Sequence, residues 1–439
     1  MIRGAIWTAG LGVLLVAGNL CAAEKPNLIF ILADDMGYSD PGFLGGDIQT
    51  PNLDRMANQG TVFSRFYNHG KCEPSRASLI TGVHFHRQTY DHVLRSFRGV
   101  STIAEQLKSA GYYTACAGKW HVPDDPTDHG FDHYFGLLGG AGSHLDPDGR
   151  LGLDEKYYLF KNYRLDGKPF PNIGKPFYSA DAATDYAIRF LKDCPDDKPF
   201  FLYLAYRTPH WPLQAPAENI KKYEHHYDQG WDVMRRERYM NLLKSGVIDK
   251  TWKLSPRDKN VCAWDEWPNK EDSARCMEVH AAMVDRMDQQ IGRVLGWLEA
   301  NGKLDNTLIC FTSDNGVSAE TNFDRTPQKF AGSVDSFRQI PAGFSNAINT
   351  PLMKYKTWNS NGGICSPMIA FWPQKIPSGR VEDSPISILD IMPTFMDIAG
   401  AVYPGNLRPL DGRSILPLLT GSEEMNPVPL FFQLKYGPG

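Results

Sequence analysis

Asn27-Leu28-Ile29-Phe30-Ile31-Leu32-Ala33-Asp34-Asp35 is an unbroken apolar run that ends on two adjacent carboxylates. A run without polar alternation marks a strand buried on both faces. Tyr113–Ala117, Phe200–Ala205, Thr307–Thr312 and Met368–Phe371 read the same way. Between them lie helical patterns at Thr102–Ala110, Ala180–Lys192 and Arg275–Ala300. The last places Met283, Met287, Ile291, Val294, Leu295 and Leu298 at three-to-four spacing, a core-facing stripe that Gly302 terminates. Strands alternating with helices predict an α/β fold: a large, mainly parallel sheet sandwiched by helices.

The residues just beyond each strand decide more. Asp34-Asp35 ends the first, Lys119-Trp120-His121 the second, Pro209-His210 the third and Asp314-Asn315-Gly316 the fourth. In an open parallel sheet these C-terminal ends share one rim, where ligands bind. Four polar endings together predict a site there. Asp34, Asp35, Asp314 and Asn315 are hard oxygen donors of the kind Ca²⁺ or Mg²⁺ takes. Carboxylates gathered from two strands repel one another unless a cation sits between them.

The segment Cys72-Glu73-Pro74-Ser75-Arg76-Ala77-Ser78-Leu79-Ile80-Thr81-Gly82 places a thiol where a loop becomes a helix. Pro74 suits a first turn, whose N–H groups lack helical partners. Those N–H groups and Arg76, about one turn on, would face an anion. The string resembles the sulfatase signature C-x-P-S-R-x-x-x-L-T-G, with Ile80 at the leucine. Gly118-Lys119-Trp120-His121, Leu389-Asp390-Ile391-Met392-Pro393-Thr394 and Leu410-Asp411-Gly412-Arg413-Ser414 extend the resemblance from Lys25 to about Gly421.

The resemblance to type I, arylsulfatase-like sulfatases implies an alkaline-phosphatase-like fold and hydrolysis of aryl or carbohydrate sulfate monoesters. It implies that a formylglycine-generating enzyme oxidises Cys72 to formylglycine, whose hydrate attacks sulfur. It also implies one Ca²⁺ held by Asp34, Asp35, Asp314, Asn315 and the group at Cys72. Arg76, Lys119 and Lys356 would hold the sulfuryl charge. His210 would donate to the leaving oxygen, and His121 would deprotonate the sulfated hydrate so that it releases sulfate. Lys356 is placed by Pro351-Leu352-Met353-Lys354-Tyr355-Lys356 and its spacing to Asn361-Gly362-Gly363. Met353, Lys354 and Asn361 depart from the family pattern there, and Lys354 is the alternative. His84, His86, His92 and His144 are further pocket-lining candidates.

The rest of the chain bounds these expectations. Its 439 residues suffice for one large domain with an appendage, or for two domains. A net charge of −4 and the lack of any Lys/Arg block give no reason to expect nucleic acid. Arg3, the apolar stretch Ala5 to Ala17 and Cys21-Ala22-Ala23 read as a signal peptide over 1–23, cleaved before Glu24. This predicts export to the periplasm or medium without stable membrane insertion; lipid anchoring through Cys21 is the competing reading. The catalytic domain is expected over 24–425, and 426–439 as the start of a truncated C-terminal antiparallel subdomain. Leu430-Phe431-Phe432-Gln433-Leu434 looks like its first strand. Cys116 and Cys310 are expected as buried thiols, and Cys262 with Cys276 as the first disulfide to test. Leu213 to Asn260 reads as an insertion over the site or a solvated excursion. The same scaffold leaves open a phosphate or phosphonate ester hydrolase, or a non-catalytic protein that binds sulfated glycans.

Overall fold

The computed structural model describes residues 25–88, 96–147, 163–170, 174, 176–320 and 329–433. The signal-like segment and His92 lie outside them. Eleven strands form one sheet: β1 (Asn27–Asp34), β2 (Thr61–Tyr67), β3 (Tyr113–Lys119), β4 (His133–Leu137), β5 (Tyr163–Leu165), β6 (Lys168–Pro169), β7 (Phe200–Pro209), β8 (Thr307–Ser313), β9 (Cys365–Phe371), β10 (Arg380–Glu382) and β11 (Ile386–Ser387). Their order is β10-β2-β9-β8-β1-β7-β3-β4-β5-β6, with β11 beside β2. The central block β8-β1-β7-β3-β4 is parallel. β9 runs antiparallel to both β8 and β2, and β5 and β6 continue antiparallel at the far edge. The sheet is therefore mixed, and reversing twice leaves β2 pointing the same way as β8.

Every residue of β1 is buried. Because side chains alternate, Ile29, Ile31 and Ala33 enter one apolar layer and Leu28, Phe30 and Leu32 the other. Helices Pro51–Gln59, Ser179–Asp193 and Lys270–Ala300 cover the first face; Cys72–Thr81, Ile103–Ser109 and Ile391–Ala399 cover the second. Truncating one such isoleucine to alanine costs about 2–5 kcal/mol. The long helix begins five residues before its expected start, and its stripe from Met283 to Leu298 is buried as read. Thr102 caps Ile103–Ser109 through a reciprocal pair with Glu105, a device worth about 1 kcal/mol.

Three expectations about the periphery change. Cys262 and Cys276 are thiols, not a disulfide; Cys276 is fully buried on the long helix, within the layer that helix shares with the insertion. Cys116 and Cys310 are buried thiols as expected. The 213–260 segment is no loose excursion. Its helices Ala217–Lys221 and Gly230–Ser245 share a third apolar layer with the first half of the long helix and with Ala342–Ile348. Finally, Leu430–Gln433 joins no ladder. Instead the Phe431 and Gln433 carbonyls lie 3.1 and 2.7 Å from the Nε2 atoms of His84 and His86. Among the described residues no helix is long and apolar enough to cross a membrane.

Candidate active site

The parallel block delivers its polar endings to one rim, and the sequence-expected residues meet there. Asp34 is the last residue of β1, with no exposed surface. Its Oδ2 takes Lys119 Nζ at 2.5 Å, from the end of β3, and lies 3.7 Å from Arg76. Burial alone would raise the Asp34 carboxyl, but Lys119, His210 and Arg76 outweigh it and hold it far below the usual carboxylate range. Asp35 adopts a left-handed backbone (φ +64°), uncommon for a residue with a side chain. That turn separates it from Asp34. Its oxygens take Asn315 Nδ2 at 2.6 Å and Lys356 Nζ at 2.9 Å, while His210 Nε2 lies 3.6 Å away.

Asp314, just past β8, accepts from Arg76 Nε at 2.9 Å and forms an ion pair with Nη2 at 2.8 Å. Arg76 also donates from Nη1 to the Lys119 carbonyl at 2.8 Å. It is entirely buried and committed to this framework. The family resemblance sets Arg76 against sulfate; in the structure its Nε also braces Asp314, and Nη2 has no hydrogen-bond partner.

Cys72 is the first residue of helix Cys72–Thr81 and is 3% exposed. Its Sγ and carboxylate oxygens of Asp34 and Asp314 all lie within 4.8 Å of one another. Oxygens of Asp34 and Asp35 and a ring nitrogen of His210 form a second such group. Burial pushes the Cys72 thiol up, against the pull of Lys119 and Lys356. A cysteine held as a thiol is a poor nucleophile.

Three buried carboxylates face three buried cations: Asp34, Asp35 and Asp314 against Arg76, Lys119 and Lys356. Even so, burial and mutual repulsion push Asp35 up to about 6 and Asp314 up to about 7. Asp34 Oδ1 and Asn315 Oδ1 are buried without a hydrogen-bond partner. Orphaned oxygens beside crowded carboxylates are the donor set of a hard divalent cation, so the residues present fit one.

The two histidines follow neighbouring strands, His210 after β7 and His121 after β3. His210 is 4% exposed, and its Nδ1 lies 2.7 Å from the Trp211 carbonyl, so that nitrogen donates and Nε2 faces the centre. His121 also takes a left-handed backbone (φ +57°), and its Nδ1 is buried without a partner. Burial, with Lys356 and Lys119 nearby, pushes His210 well down, although Asp34 opposes it; burial, Lys119 and Arg76 do the same to His121.

Of the remaining candidates, Lys354 turns away. Its Nζ pairs with Asp258 at 2.8 Å and lies 4.3 Å from the Trp358 ring centroid. His144 is buried and pins the loop, its Nε2 2.8 Å from the His210 carbonyl. His84 meets His69 edge-on at 4.4 Å between ring centroids and stacks on His86 at 5.5 Å.

Two contributors carried no sequence signal. Glu320 approaches Lys356 Nζ at 3.5 Å from a loop without a motif. Gly140 lies so close to His121 that a Cβ there would stand 2.5 Å from its Nε2. The glycine-rich loop thus admits the histidine, a use that composition alone does not reveal.

The model of the Sulfatase family matches residues 26–401, most of the chain and all of the centre. The chain belongs to the sulfatase family. It is a hydrolase of sulfate esters. This sulfatase is 34% identical to an arylsulfatase of Klebsiella aerogenes over 92% of its own length and 93% of that protein's. It is 33% identical to an uncharacterized sulfatase of Schizosaccharomyces pombe, over 88% and 76% of the two chains. Among solved structures, Ps i-CgsB in complex with k-i-k-neocarrahexaose superposes with a TM-score of 0.66 and 29% identity. That match covers 91% of this sulfatase and 77% of the other chain.

Proposed function

We propose that this sulfatase is exported, carries formylglycine in place of Cys72 and one Ca²⁺, and releases sulfate from carbohydrate or aryl sulfate monoesters. The observation that carries the reading is the meeting of Cys72 Sγ with Asp34 and Asp314 at a helix N-terminus. Sγ stands where the formylglycine oxygens would be. Asp34, Asp35, Asp314 and Asn315 would hold the cation. The hydrated aldehyde supplies the attacking oxygen, and the cation supplies Lewis acidity.

The chain's own residues do the rest. Three cations already balance three carboxylates, so a divalent ion leaves a net positive centre for an anionic ester. Lys119 and Lys356, aimed inward from opposite sides, hold charge that develops on the sulfuryl oxygens. As a new S–O bond forms and the ester S–O bond breaks, His210 gives its Nε2 proton to the departing oxygen from its imidazolium form, which the Asp34 and Asp35 carboxylates favour against burial. His121, kept neutral by burial and by Lys119, is available to accept one at Nδ1. Arg76 braces Asp314 from Nε.

The test is peptide mass spectrometry across residue 72 in protein made with a formylglycine-generating enzyme, alongside rates on paired aryl sulfate and aryl phosphate. Conversion of the thiol to aldehyde with faster sulfate release is expected. An unmodified Cys72 in fully active enzyme sinks the mechanism, and a preference for phosphate sinks the substrate class.

A further inference from the structure

Beside the catalytic centre opens a cavity of about 680 Å³ that none of the centre's residues lines. Its walls include Arg65, Tyr67, Trp252, Lys253, Asn359 and Asn361, and they carry two cations and no carboxylate. Trp252 presents a fixed flat surface. Its ring centroid is 6.1 Å from that of Tyr38, the Arg65 guanidinium lies 5.6 Å from it, and its carbonyl accepts from Tyr239 at 2.8 Å. Arg65 meets Asp383 at 3.6 Å, where both are solvated, and Lys253 Nζ donates to the Lys250 carbonyl. Exposed pairs of that kind are worth little and exchange readily. Aromatic faces suit the apolar faces of sugar rings, amides suit hydroxyls, and the cations suit sulfate or carboxylate.

One loop joins this cavity to the chemistry. Leu352 and Met353 line the cavity before Lys356, and Asn359 and Asn361 line it after. Between them, Thr357 N donates to the Gly70 carbonyl at 2.8 Å, two residues before Cys72. Three residues of chain span at most about 11 Å, so the Asn359 wall lies within that reach of the Lys356 backbone. A short oligosaccharide bridges such a gap.

We propose that the cavity is a distal subsite for an anionic sugar unit, bearing sulfate or carboxylate, of an oligosaccharide whose scissile sulfate sits at residue 72. The proposal rests on the sulfatase reading above and names its substrate class. The test uses the mature, metal-loaded full chain and the Arg65→Ala/Lys253→Ala variant. Kinetics are measured on a small aryl sulfate and on a sulfated galactan hexasaccharide.

For the hexasaccharide, KM is expected to rise about tenfold or more with kcat little changed, and the difference should shrink at high salt. Aryl sulfate constants should stay at wild-type values. An unchanged hexasaccharide KM overturns the subsite while leaving the sulfatase reading intact. Absence of turnover of both the aryl sulfate and the hexasaccharide in the mature wild type strikes the sulfatase reading instead. Calorimetric binding of the hexasaccharide to Cys72→Ala protein then still decides the subsite, with Lys253→Glu as the second variant. Competition by an unsulfated oligouronate assigns the cavity to carboxylates as well as sulfates. Competition by neither sulfated nor uronate oligomers overturns it.

Discussion

Two buried charged clusters grow from the loop that leaves β1, and they behave in opposite ways. In the second, Asp40 accepts from Gly37 N at 3.0 Å, Arg238 Nη1 at 3.0 Å and His280 Nε2 at 2.8 Å. Asp47 accepts from Arg238 Nε at 2.7 Å and Tyr227 Oη at 2.5 Å. Burial works against both carboxyls, but His280 and Arg238 at Asp40, and Arg238 with Tyr227 at Asp47, hold them below the usual carboxylate range. In the catalytic centre, two of three carboxyls are pushed up and two oxygens have no partner. The same ingredients, carboxylates and an arginine without solvent, give a closed structural clasp in one place and an under-satisfied site in the other. Satisfaction of the acceptor oxygens separates them: every Asp40 and Asp47 oxygen has a donor, and the clasp's own orphans, Arg238 Nη2 and His280 Nδ1, are nitrogens.

The sharpest way to break this contrast is at residue 72. Cys72→Ala should lower sulfate release from an aryl sulfate by at least about 10³-fold with an unchanged melting temperature. Wild-type turnover would overturn the assignment. Next, Asp314→Asn should abolish the rise in melting temperature that Ca²⁺ gives the wild type, since a ligand that binds only the folded state stabilises it. Thermal scans with Ca²⁺ or chelator check this, and Asp40→Asn should keep the Ca²⁺ response.

In the clasp, Arg238→Ala removes the cation from buried Asp40 and half-buried Asp47 and should cost about 3 kcal/mol, read by denaturant unfolding. Turnover per folded molecule should change little. A smaller effect is expected from Gly140→Ala, whose Cβ forces the His121 ring aside. It should lower kcat by about tenfold, near-neutral in stability, as misplacement of a catalytic group does.

The mildest prediction concerns pH. Asp40 and Asp47 have depressed folded values, so their contribution is present above the unfolded value of about 3.9 and is lost as pH falls through the folded one. Asp288 runs the other way. Burial pushes it up to about 6, so its contribution is present below the unfolded value and is lost as pH rises through about 6. Asp288→Asn should therefore lessen the decline of melting temperature between about pH 4 and 6, leaving the part set by Asp35 and Asp314, and leave acid unfolding in place. A wild-type melting temperature flat over that range would contradict it.

The centre is legible in the sequence to the extent that its groups are local. Asp34-Asp35, Lys119, His210 and Asp314-Asn315 each come directly after a buried strand, and a parallel sheet brings such endings to one rim whatever the loops do. Spacing points to Lys356 with Lys354 as the alternative; only the fold shows which of the two turns inward. β2 escapes a reading by pattern because Ser64 and Arg65 interrupt its apolar run. Glu320 and Gly140 escape it because their roles are distances to residues far away in the chain.

Sequence by itself determined the strand and helix pattern, the reactive helix start and the donors of the site, because each depends on a few neighbouring residues. Tertiary structure alone decided that Arg76 braces Asp314, that both Asp40 oxygens are satisfied while Asp34 Oδ1 and Asn315 Oδ1 are not, and that a cation-lined cavity adjoins the centre. Those outcomes depend on which groups from distant segments share a volume without water, and no local pattern of letters records that.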